Sequence, residues 1–207
     1  MAHDHDHPPP RHDDPEPGDY YRHLGTALRE LLIEKGVVTA DEIRANLEFM
    51  DSRGVHLGAR VVAKAWADPE YKKRLMADGT KAVGELDIPM GDVELVVVEN
   101  TDDVHNIIVC TLCSCYPRTI LGLPPDWYKS RSYRSRVVNE PRAVLREFGT
   151  EIAEHVAVRV HDSNADMRYL VLPARPDGTD RWSEERLAEL VTRDCLVGVS
   201  TAKSPAG

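Results

Sequence analysis

Three cysteines fall within six residues, Cys110-Thr-Leu-Cys113-Ser-Cys115. Where thiols stay reduced, such crowding points to metal or redox chemistry rather than to a disulfide framework. A bridge inside the triplet would also strain disulfide geometry. Neither common use of Cys-x-x-Cys fits. Structural zinc wants four tetrahedral ligands, and the chain has no second Cys-x-x-Cys to complete them. A thioredoxin-type pair has no need of a third cysteine two positions on. The Cys-Ser-Cys portion is the informative one. A metal bound by both sulfurs draws in the main-chain nitrogens of Ser114 and Cys115. Nitrogen and sulfur of Cys115 then close a five-membered chelate ring; sulfur of Cys113 and nitrogen of Ser114 close a six-membered one. Two thiolates and two deprotonated amides fill a square plane, Cys110 supplies an axial thiolate, and the sixth position stays open. Deprotonating a peptide nitrogen demands a strongly acidifying ion, which favours trivalent cobalt or iron over zinc or magnesium.

Such a claw needs a rigid mount. The run Asn106-Ile-Ile-Val109 leads straight into it, and Glu94-Leu-Val-Val-Val-Glu99 precedes that run across a turn-like Asn100-Thr-Asp-Asp103; both read as strands. Two more strands are expected over 156–160 and 168–172, with Asp162-Ser-Asn164 as a polar turn between them, and a last one over 196–199. Helical patterning runs from Tyr20, with Leu24, Leu28, Leu31 and Leu32 on one face and Gly36 at its end. Thr39-Ala-Asp-Glu42 is a capping box for a second helix carrying Ile43, Leu47 and Met50. A third is expected over 58–67. Asp68-Pro69 opens a fourth that runs toward Gly79, Glu140-Pro141 one that ends near Gly149, and Ser183 one through Val191. A Pro-rich connection, 116–128, follows the cysteines. Strands and helices in no regular alternation predict an α+β fold, a layered α/β/β/α sandwich preceded by an N-terminal helical arm.

Three segments follow from this pattern. Residues 1–18 hold five prolines, five acids and four histidines with no large apolar residue, and read as a disordered His/Asp/Pro-rich tail. Residues 19–55 form the helical arm, and 56–207 the metal-binding catalytic domain. The net charge of −9 argues against a nucleic-acid partner, and no apolar run approaches a membrane span. The N-terminus lacks the basic start and apolar stretch of a secretory signal, so a cytoplasmic location is expected. Cys195, in an apolar stretch, reads as a small buried hydrophobe. His105, just ahead of the claw, reads as structural and outward-facing.

Val109-Cys-Thr-Leu-Cys-Ser-Cys-Tyr-Pro117 followed by Leu121-Gly-Leu-Pro-Pro-Asp-Trp-Tyr128 resembles the alpha subunit of nitrile hydratases. The likeness extends to Gly58–Trp66, Tyr133–Arg136, Glu140–Arg142, Arg175–Thr179 and Val191–Asp194, and so to most of residues 20–200. Thr111 and Tyr116 match the cobalt-type pattern, where iron-type members usually carry serine and threonine. The resemblance implies a lyase that hydrates a small nitrile to its amide at a non-corrin Co(III) centre, with iron the less favoured ion. It implies Cys110, Cys113, Ser114 and Cys115 as ligands, with Cys113 a sulfinate, Cys115 a sulfenate and Cys110 a thiolate. Oxidation weakens the sulfur donors and sharpens the Lewis acidity of the metal. Either metal-activated water or the Cys115 sulfenate then attacks the nitrile carbon. The resemblance further implies Asp162, Asp166 and Arg168 as support behind the ligands, a β subunit, in one chain or split into two, and a cobalt-insertion activator protein.

The chain departs from that pattern in three places. Met90-Gly-Asp92 stands where Gln-Gly-Glu is common, Arg118 follows Tyr116-Pro117 where tryptophan is usual, and His161 takes the place of a tryptophan before Asp162. Tyr-Pro-Arg is similar to the gamma subunit of cobalt thiocyanate hydrolase, which converts thiocyanate to carbonyl sulfide and ammonia. A cation there suits an anionic substrate.

Overall fold

The computed structural model describes residues 19–205; the tail expected over 1–18 lies outside them. Helix α1 (Asp19–Glu34) ends just before Gly36, whose φ of 64° few side chains tolerate. Helix α2 (Ala40–Asp51) opens on the capping box as expected, with Thr39 accepting from the Glu42 amide and Glu42 accepting from the Thr39 amide at 2.7 Å. Neither helix is closely packed. Leu24, Leu28 and Leu31 are exposed along α1, as are Leu47, Phe49 and Met50 along α2.

Burial begins with α3 (Val55–Ala67), whose Val61, Val62 and Ala63 are fully enclosed. Asp68 caps α4 (Pro69–Ala77) through the Glu70 and Tyr71 amides. The expected run toward Gly79 breaks there, because Asp78 accepts from the Lys81 amide and starts a separate helix, α5 (Gly79–Gly84). Strands β1 (Glu94–Glu99) and β2 (Val104–Val109) follow. The Pro-rich connection carries more helix than its composition suggests, in α6 (Arg118–Leu121) and α7 (Asp126–Lys129), and beyond it stand α8 (Arg131–Asn139) and α9 (Pro141–Glu147). Ser130 caps α8 through the Tyr133 amide, a start signal hidden in a strongly polar stretch. Beyond them come β3 (Ala157–Asp162), β4 (Met167–Leu172), α10 (Glu184–Ala188) and α11 (Arg193–Val197).

Helix α11 corrects the strand expected over 196–199. A short buried apolar run is compatible with either element; here Thr192 decides by capping the Cys195 amide, and Gly198 closes the turn in the left-handed region. Gly198 also presses on β2, where a Cβ would stand 2.0 Å from the Asn106 carbonyl oxygen. Only glycine fits. Cys195 is buried as expected, its thiol donating to the Thr192 carbonyl at 3.1 Å.

The strands form two separate parallel pairs, β1 with β4 and β2 with β3. Parallel partners need long crossovers, and the β2-to-β3 crossover contains the cysteine loop and helices α6 to α9. Helices α4 and α5 cover β1, α9 approaches β3, and α11 lies against β2 and β4. The core joins Val61, Leu75, Val83, Leu95, Ile107, Ile108, Leu170, Val171 and Leu196, all essentially without solvent contact. Each large aliphatic there contributes roughly 1.5–3 kcal/mol. Two segments singled out in the sequence meet in it: the Trp66 indole donates to the Pro173 carbonyl at 2.9 Å, and Arg175 donates to the Trp66 carbonyl at 2.7 Å.

Candidate metal centre

Cys110 is the first residue beyond β2, and it is buried; Cys113 is exposed and Cys115 half-buried. The loop therefore turns from core to surface within six residues. Its three sulfurs lie within 4.8 Å of one another. Cys113 Sγ is 3.4 Å from Cys110 Sγ and 3.2 Å from Cys115 Sγ, and the Cys113 amide donates to Cys110 Sγ at 3.3 Å. Contacts from Cys115 and then Cys110 pull the Cys113 thiol down to about 7, while burial pushes Cys115 up to about 12. The donor set fits a thiolate-seeking ion, with the Ser114 and Cys115 nitrogens part of the same loop.

Three elements fix the loop from outside. The register of the β2–β3 pair sets Asp162 opposite Val109. From there its carboxylate accepts from the Thr111 amide at 2.9 Å and from the Thr111 hydroxyl at 2.6 Å. On α7, buried Tyr128 donates its hydroxyl to the Cys115 carbonyl at 2.8 Å. On α8, Arg134 donates to the carbonyls of Cys113 at 2.8 Å and Leu112 at 3.2 Å. Behind the loop an aromatic group braces these donors. Tyr116 stands edge-on to Tyr128 at 4.9 Å, and Trp127 packs on Tyr133 at 5.0 Å and Phe148 at 4.8 Å. Burial raises the Tyr116, Tyr128 and Tyr133 phenols above their ordinary range, so all three remain neutral.

The remaining candidates divide. Arg168 donates to the Asn164 and Met167 carbonyls, and its charge favours ionised Cys115. Asp166 is exposed in the turn, where its amide donates to Asn164 Oδ1 at 2.9 Å and its carbonyl accepts from the Glu94 amide. Ser114 is half-buried and Tyr116 buried. His105 corrects the outward orientation expected of it. It is 4% exposed, held by the Gly198 carbonyl at 2.7 Å and Asn100 at 3.3 Å. Strand alternation would have sent it outward only if one face of β2 met solvent, and positions 105–109 are all buried. In the sequence Tyr128 and Arg134 stand only within segments that carry the family resemblance, with no role assigned to either. A phenol after Pro-Pro and one of the three arginines of α8 carry no signal of their own.

The family description that matches this chain is that of the nitrile hydratase alpha chain, over residues 19–200. The chain belongs to the nitrile hydratase alpha-chain family. As a nitrile hydratase alpha chain it is an enzyme subunit of the hydro-lyase class. It is 54% identical over 181 residues to the cobalt-containing nitrile hydratase subunit alpha of Pseudonocardia thermophila, a match covering 86% of this chain and 89% of that one. It is 47% identical over 192 residues to the thiocyanate hydrolase subunit gamma of Thiobacillus thioparus, covering 87% and 79% respectively. Among solved structures, a double mutant of the iron-type nitrile hydratase from Comamonas testosteroni Ni1 superposes with a TM-score of 0.85 at 42% identity, covering 91% of this chain and 93% of that one. Nitrile hydratase relatives therefore include both metal types. Thr111 and Tyr116 are the residues here that bear on the choice.

Proposed function

We propose that the chain is the alpha subunit of a cobalt nitrile hydratase and hydrates a nitrile to the corresponding amide. The observation that carries this reading is the convergence of the Cys110, Cys113 and Cys115 sulfurs at the surface end of β2. Those sulfurs, with the main-chain nitrogens of Ser114 and Cys115, would hold Co(III) and leave one position for substrate. Bound there, the ion would act as a Lewis acid toward the nitrile nitrogen. The chain's own part is to keep that donor set fixed. Asp162 anchors Thr111, Tyr128 anchors the Cys115 carbonyl, and Arg168 sets a positive charge near Cys115. Hydration adds water across carbon and nitrogen with no net electron transfer, so the site needs no redox partner.

Cys113 as sulfinate and Cys115 as sulfenate complete the reading. That is a six-electron oxidation adding three oxygen atoms, about 48 Da, per chain, and three dioxygen molecules shared between two alpha chains would balance it. A β subunit covers the exposed loop, in one chain or two, and an activator protein delivers cobalt. The described residues include no helix long and apolar enough to cross a membrane, and we take the location as cytoplasmic. We also take residues 19–55 as an arm, 56–207 as the catalytic domain, and the two parallel pairs with their covering helices as an α/β/β/α sandwich.

One observation favours a second reading. Arg118 is an exposed cation three residues past Cys115, which suits thiocyanate as substrate. Co-expression with the neighbouring subunit and activator, followed by assays on acrylonitrile and on thiocyanate, separates the two. Amide release without carbonyl sulfide supports a nitrile hydratase; carbonyl sulfide without amide overturns it in favour of thiocyanate hydrolysis.

A further inference from the structure

Arg134 is the one external anchor of the cysteine loop to which the functional reading gives no task. Its Nη1 donates to the Cys113 carbonyl at 2.8 Å and the Leu112 carbonyl at 3.2 Å. The helix carrying it is fixed relative to the loop. Adjacent Tyr133 is buried and donates to the Ile108 carbonyl at 2.8 Å, on the strand that ends at Cys110. The guanidinium is therefore placed by the same strand that presents the sulfurs.

The bonded carbonyl is informative. Cys113 C=O and Ser114 N are the two ends of one peptide unit, joined by amide resonance. Electron density gathered on a metal-binding Ser114 nitrogen spreads onto that oxygen, and a hydrogen bond from a cation stabilises it there. Such charge-assisted bonds are roughly twice as strong as neutral ones. Together with the Leu112 bond, it also fixes the rotation of the loop between Cys110 and Cys113, so that one side chain sets both shape and charge.

We propose that Arg134 is a positioning residue of the metal claw, orienting the Cys113–Ser114 peptide and offsetting through its carbonyl the negative charge that the ligand set accumulates. This rests on the reading of the loop as a metal site. Lysine is only a partial substitute: both bonds come from the one nitrogen Nη1, and a lysine ammonium, on a stem one bond shorter, falls short of that point.

The test uses the complex purified with its partner subunit from cells given limiting cobalt. Parent, Arg134→Ala, Arg134→Lys and Arg136→Ala are compared; Arg136 pairs instead with Glu140 and Glu147. The readouts are cobalt per alpha chain, the sulfur-to-cobalt absorption band and far-UV circular dichroism. Arg134→Ala is expected to keep its fold, lose about tenfold in cobalt content and shift the band. Arg134→Lys falls between, and Arg136→Ala matches the parent. Full cobalt with an unshifted band in folded Arg134→Ala overturns the proposal, as does equal cobalt loss in Arg136→Ala. Should Arg134→Ala fail to accumulate, parent-like cobalt in Arg134→Lys overturns it. A parent without cobalt removes the claw reading itself, and this proposal with it.

Discussion

The carboxylate of Asp162 grips Thr111 with both oxygens, accepting from its amide at 2.9 Å and from its hydroxyl at 2.6 Å. The grip follows from strand register: Asp162 ends β3 exactly where Val109 ends β2, so the acid reaches across to the first turn of the cysteine loop. Removing it frees that turn while leaving every sulfur in place. Asp162→Ala is expected to lower cobalt content or turnover by about 10- to 100-fold. Elemental analysis and steady-state kinetics of the purified complex check this; parent-like values for both would exclude a supporting role.

Tyr128 ties the far end of the loop. Tyr128→Phe deletes one hydroxyl, leaves the ring contacts with Tyr116 and Trp127 intact, and strands the Cys115 carbonyl. A stability loss of about 0.5–1.5 kcal/mol is expected from the lost hydrogen bond to this half-buried acceptor. Thermal unfolding should show it as a Tm lower by several degrees.

How much of this was legible in the sequence depends on the kind of signal. Thr39, Asp68 and Ser183 start helices because a capping side chain acts within three residues, and such local chemistry survives reading without a fold. The cysteine loop was legible for the same reason, its ligands being near neighbours in the chain. Leu196–Val199 misleads, since burial makes a helix and a strand equally apolar, although Thr192, capping the Cys195 amide, is itself a local start signal. Arg134 and Tyr128 act on carbonyls 21 and 13 residues away. No spacing rule connects them.

His105 makes stability depend on pH. Burial holds its pKa below the ordinary 6.5, the Gly198 carbonyl works against that, and the charge of Arg142 adds to it. The folded chain thus declines a proton that the unfolded chain accepts just below pH 6.5, and the unfolded state binds more protons there. The contribution is complete above 6.5 and is lost as pH falls toward the folded value. The parent is expected to lose more Tm between pH 7.5 and 5 than His105→Gln does. Equal losses in the two proteins would show that this histidine carries no linkage.

Gly198 offers a sharper test of the fold. A methyl group there meets the Asn106 carbonyl at 2.0 Å on a backbone with φ of 88°. Gly198→Ala is expected to cost about 3 kcal/mol or more, equivalent to a Tm drop of about 6 °C or greater in a chain of this size. Scanning calorimetry would show the shift, and a change under about 1 °C would mean that α11 does not rest on β2 as described.

X-ray absorption at the metal edge of the purified, mature complex bears on the central claim most directly. A cobalt edge is expected, with three sulfur and two nitrogen neighbours drawn from Cys110, Cys113, Ser114 and Cys115 and a sixth, light neighbour from solvent. A zinc edge with four tetrahedral neighbours, sulfurs at about 2.3 Å, would contradict the account.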